Sequence, residues 1–75
     1  MLRTEPRLTN MQMKIARLIA KGYTNYQIAN DLKIAEGTVN SHIHNIFNKF
    51  SLQNRVQIAV LAYEQNIIDN AWKWT

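Results

Sequence analysis

The stretch TNYQIANDLKIAEGTVNSHIHNIFNKF, residues 24–50, decides the fold. Thr24 is followed three residues on by Gln27, the pairing of a capping box, while Tyr23 and Ile28 bracket it as a hydrophobic staple. A helix is therefore expected from about Asn25 to Leu32, with Ile28, Ala29 and Leu32 turned inward. Ala29 is small enough to let a second helix cross closely. After the tight connection Lys33-Ile34-Ala35-Glu36, a longer helix takes about 36–49. Val39, Ile43, Ile46 and Phe50, at spacings of 4, 3 and 4, mark its buried side. Gly37, in its first turn, is a mild weakness or a point of close approach.

The same start signal occurs upstream. Thr9 and Gln12 form a second capping box, with Leu8 and Met13 as its staple. Met11, Ile15, Leu18 and Ile19 then give helix one its apolar stripe, and Gly22 ends it. Downstream, Ser51-Leu52-Gln53-Asn54 leads to helix four, capped by Asn54 with Gln57 at its third position. The expected inward face of helix four is Val56, Ala59, Val60 and Tyr63. Ile58, Leu61 and Ala62 lie off that face, so the helix is apolar nearly all round and calls for a cover. Residues 1–7, with Pro6, read as a loose N-terminal arm, residues 8–68 as the domain, and residues 69–75 as a C-terminal extension. Ile67, Ile68, Trp72 and Trp74 close the chain outside the regular pattern.

With 75 residues the chain supports one small domain. It has no cysteine, which excludes disulfides and thiolate chemistry, and His42 with His44 alone makes no metal site. No apolar run approaches the roughly 20 residues of a membrane span, so a soluble, cytoplasmic protein without a membrane partner is expected. Residues 1–49 hold seven basic and three acidic side chains, whereas residues 50–75 hold two of each. The net charge of +4 thus sits in the first two-thirds, the part suited to a negative partner. Nine Asn and five Gln add a surface that binds through hydrogen bonds. Parts for an enzyme are wanting. Ser41 and His44 have no acid placed to orient the histidine, and no nucleophile turn, phosphate loop or dinucleotide fingerprint is present. No cofactor is expected.

Two short helices, a tight turn between them and a longer helix after it are the geometry of a helix-turn-helix. In that arrangement the longer helix enters the major groove of double-stranded DNA with its N-terminal turns against base edges. Its outward face here is Gly37, Asn40, Ser41, His44 and Asn48. Asn40, Ser41 and His44 are the candidates for base contact, because an Asn amide can pair with adenine and Ser or His can reach several edges. Thr24, Lys33, Thr38, Asn48 and Lys49 are the candidates for phosphate contact, with Lys21, Tyr26 and Gln27 flanking them.

These residues carry a resemblance. Leu8-Thr9, then Ile19-Ala20-x-Gly22-x-Thr24-Asn25-x-x-Ile28-Ala29-x-x-Leu32-x-Ile34, then Thr38-Val39-x-x-His42-x-x-Asn45-Ile46-x-x-Lys49-Phe50, then Arg55 and Ala59, is similar to the LuxR/NarL/GerE-type DNA-binding domain of bacterial transcription regulators. The resemblance runs from Leu8 to about Ile68. It implies an all-α, four-helix helix-turn-helix domain of the LuxR type, with Asn40, Ser41 and His44 at contact positions and Lys49 at a basic one. It also implies a homodimer through helix four, which matches the surplus apolar Ile58, Leu61 and Ala62, and paired half-sites about one helical turn apart. Four departures from the family pattern stand out: Met11-Gln12 for Arg-Glu, Tyr26-Gln27 for Lys-Glu, Ala35 for a capping Ser, and Asn40 for Lys. The expected function is sequence-specific DNA binding as a dimeric regulator, with RNA polymerase or a related regulator as a further partner. The alternative is a protein-interaction module that kept the fold without operator binding.

Overall fold

The computed structural model describes residues 7–65; Ile67, Ile68, Trp72, Trp74 and the proposed extension lie outside the described residues. Within them the chain forms α1 (Asn10–Ala20), α2 (Asn25–Leu32), α3 (Glu36–Phe50) and α4 (Arg55–Glu64), with no strand. Both capping boxes close. Thr9 N–H donates to Gln12 Oε1 at 3.0 Å while Gln12 N–H donates to Thr9 Oγ1 at 3.1 Å. Thr24 and Gln27 repeat the exchange at 2.8 and 3.1 Å. Each box satisfies orphan donors of a helix start and fixes where the helix begins.

The helix ends are fixed with equal economy. Gly22, at a φ of 93°, carries α1 into a Schellman motif, with Gly22 N–H on the Ile19 carbonyl at 2.9 Å and Tyr23 N–H on the Leu18 carbonyl at 3.0 Å. The turns after α2 and α3 have the same form without glycine: Lys33 and Ser51 take φ values of 59° and 56°. A left-handed L-residue costs about 1 kcal/mol. What offsets it is visible one residue later, where Ile34 and Leu52 turn back to pack on the core. Their N–H groups reach the Ala29 and Phe47 carbonyls at 3.0 and 2.9 Å.

Ile15, Ile28, Val39, Ile46 and Ile58 form the fully buried centre, with Leu8, Leu18, Ile19, Ile43 and Leu61 around them. α1 packs most extensively on α4, while α2 packs on α3 and α3 also rests on α1. Phe50, expected in the buried row of α3, is only partly buried against this core. Among the described helices, α3 is the one whose N-cap, Ala35, makes no side-chain cap bond. Ala35→Ser should therefore raise stability by about 1 kcal/mol, read as a higher midpoint in thermal and denaturant melts.

The face expected for α4 is reversed. Ile58 and Ala62 are fully buried and Leu61 is 8% exposed, whereas Val56, Val60 and Tyr63 are 70%, 48% and 43% exposed. Ile58, Leu61 and Ala62 therefore belong to the domain's own core and are not available as a dimer surface. The reason is that α4 carries two complete helical stripes. Ile58-Leu61-Ala62 has the same i, i+3, i+4 spacing as Ile15-Leu18-Ile19 in α1, and Val56, Ala59, Val60 and Tyr63 form a second stripe. Periodicity cannot choose between them. In the fold the Ile58-Leu61-Ala62 stripe faces the core, while the Arg55 guanidinium reaches the turn before α2, with Nη2 on the Tyr23 carbonyl at 2.7 Å.

Candidate nucleic-acid interface

At 100° per residue, Gly37, Ser41, His44 and Asn48 fall within about 60° of one another on α3, opposite Val39, Ile43 and Ile46. The structure agrees: Gly37, Asn40, Ser41, His44, Asn45 and Asn48 are all exposed, and the three apolar residues are buried. The expected base-contact set, Asn40, Ser41 and His44, lines a shallow groove together with Ile43, Asn45 and Phe47. Asn40 stands at the flank nearest α2, where its Oδ1 accepts a 2.7 Å hydrogen bond from Asn25 Nδ2. Asn25 Oδ1 in turn accepts from Arg55 Nη1 at 2.7 Å.

The phosphate candidates divide. Lys33 and Thr38 are exposed, at the two ends of the connection that separates α2 from the body of α3. Thr24 is exposed too; its Oγ1 accepts from Gln27 N–H, which leaves the hydroxyl hydrogen able to donate outward. Asn48 is exposed two turns beyond Ser41.

Lys49 is different. Its ammonium donates to the Arg7 carbonyl at 2.7 Å and to Gln12 Oε1 at 3.0 Å. It is part-buried and ties the end of α3 to the start of α1, with two of its three N–H donors engaged within the fold. Gln12, 5% exposed, is the buried polar residue that receives it, and its Oε1 thereby serves Thr9 and Lys49 together.

Three residues of this surface escaped the sequence reading in part. Asn45 stands in the motif without a role, Asn25 is read only as the start of α2, and Arg55 at the start of helix four leaves open a bridge to an α3 carbonyl or a phosphate contact. Its partners are instead Tyr23 and Asn25. Nothing in local spacing signals a contact across 30 residues; only the fold brings them together. Among the described residues no group of three or more His, Cys, Asp or Glu could hold a metal ion, and no helix is long and apolar enough to cross a membrane.

Comparison with known proteins places this geometry. Residues 6–62 match the family model of "Bacterial regulatory proteins, luxR family". The response regulator protein VraR of Staphylococcus aureus, Staphylococcus saprophyticus and Staphylococcus epidermidis is 43% identical over 61 residues, or 81% of this chain. The chain spans 29% of the length of those relatives. The paired short helices, the exposed polar face of the third and a match that covers most of the chain agree on one assignment: the chain belongs to the luxR family of bacterial regulatory proteins, as a helix-turn-helix DNA-binding domain.

Proposed function

We propose that the domain binds specific double-stranded DNA sites as a homodimer and so regulates transcription in the cytoplasm. The observation that supports this best is the outward face of α3. Asn40, Ser41, His44, Asn45 and Asn48 are exposed, uncharged or titratable hydrogen-bonding groups on a helix whose other side is held in the core. Such a face suits base edges, which are read by donors and acceptors, better than it suits a purely electrostatic grip. α3 enters the major groove, Asn40, Ser41 and His44 meet bases, and Thr24, Lys33, Thr38 and Asn48 meet phosphates. The two-fold contact runs through α4, by its outer stripe of Val56, Val60 and Tyr63. These are large apolar side chains exposed on a domain that already has a closed core. RNA polymerase, or a related regulator, is the further partner at an exposed edge of the bound dimer.

Selection of duplexes from a random pool by the purified chain, at about 0.15 M salt with competitor DNA, tests the proposal; non-specific binding at that salt is weak enough to be competed away. A two-fold-symmetric enriched site is expected. A single unpaired motif would remove the dimer, and no enrichment by folded protein would remove operator binding.

A further inference from the structure

The side-chain amide of Asn40 has an acceptor limb and a donor limb, and which limb faces outward is decided two residues away from it in a hydrogen-bond chain. Arg55 begins that chain. A guanidinium has five N–H donors and no acceptor, so the atom of Asn25 that it touches at 2.7 Å must be the carbonyl oxygen. The Asn25 NH2 group is then the limb turned to Asn40, and the atom of Asn40 that receives it, also at 2.7 Å, must be Oδ1. The Asn40 NH2 group is left on the opposite limb of the planar amide. Both orientations follow from the chemistry of Arg55, whose second Nη is held on the Tyr23 carbonyl. Asn25 and Arg55 are half-buried, so the chain is held by the fold, while Asn40 remains exposed at its end.

We propose that Arg55 and Asn25 are positioning residues that make Asn40 a donor-presenting reader, selecting guanine, whose O6 and N7 are both acceptors. This rests on α3 being the recognition helix. A free Asn amide would favour adenine, which asks for an acceptor and a donor together. With Oδ1 turned to α2, that pairing is lost and the NH2 group favours guanine at one position of each half-site, on the order of tenfold over adenine.

The chain also supplies its own inversion. Asn25→Asp keeps an acceptor for Arg55 and puts a carboxylate, which cannot donate, against Asn40. The Asn40 amide must then turn over, with NH2 to the carboxylate and Oδ1 outward. The fold should survive, because an acidic residue at the first position of α2 suits the helix dipole. The experiment is duplex selection with the wild-type chain, Asn25→Asp and Asn40→Ala, each shown to be folded by circular dichroism. Asn40→Ala identifies the position by relaxing it. Wild type should enrich guanine there, and Asn25→Asp should enrich adenine or cytosine, the bases with an outward amino group. If Asn40→Ala relaxes a position at which wild type and Asn25→Asp select the same base, the relay is overturned while α3 remains the reading helix. If Asn40→Ala relaxes no position, Asn40 is not a reader and the proposal falls. If the wild-type chain enriches no duplex, the reading of α3 itself falls, and the relay with it.

Discussion

Ile58→Ala should lower the stability of the domain by about 3 kcal/mol, because it empties a fully buried site between α4 and α1. A domain of this size has little more than that to lose, so the variant should melt near or below ambient temperature. Leu61→Asp, which buries a charge without a partner, should prevent folding. Val60→Asp, one residue away in sequence and on the exposed stripe, should leave the melt within about 0.5 kcal/mol of wild type. It should instead lower the mass measured by sedimentation at a concentration where wild type is dimeric. Circular dichroism melts and sedimentation of the three variants check this together. A stable Ile58→Ala would contradict the burial of the Ile58-Leu61-Ala62 stripe, and an unchanged mass for a folded Val60→Asp would move the proposed two-fold contact elsewhere.

Salt should have the second large effect. Arg7, Lys14, Arg17, Lys21 and Lys33 are exposed, whereas Lys49 and Arg55 are committed to internal hydrogen bonds. If two or three cations of each protomer meet phosphates, a dimer releases about five counterions, and raising salt from about 50 to 200 mM should weaken binding by about 10²–10³-fold. Fluorescence anisotropy of a labelled duplex across that range measures the slope. Lys33→Ala should reduce it by about one unit per protomer for all sequences alike. A slope near zero, with apolar contacts as the source of affinity, would favour the interaction-module reading, in which Val56, Val60 and Tyr63 meet a protein.

How far the sequence could be read depended on whether a feature was local. The capping boxes of α1 and α2 lie within three residues, and both were legible. So was the buried row Val39-Ile43-Ile46, which has one apolar stripe and therefore one choice of face. α4 has two, and which of them is buried is settled only by packing on α1, far away in sequence. The roles of Lys49 and Asn25 were hidden for the same reason: a lysine at the end of a helix reads as a surface cation until the strand of chain that receives it, Arg7 and Gln12, is folded beside it. Asn40, Ser41 and His44 were legible as an exposed set, because exposure on a single-striped helix is periodic. The orientation of the Asn40 amide was not, because that depends on its neighbours across the fold.

The packing of α1 on α4 carries a consequence for the order of events in synthesis. Of the described helices, α1 and α4 are each other's principal partners, with the whole α2–α3 unit between them. Closing that long loop must precede the burial of α1 against α4 that rewards it. While a ribosome still holds Ile58 and Leu61 in its tunnel, α1 has only part of its cover, and α3 rests on an incomplete core. Folding is thus completed only as the segment around α4 emerges, and until then the α1 face of Ile15, Leu18 and Ile19 lacks the part of its cover that α4 supplies.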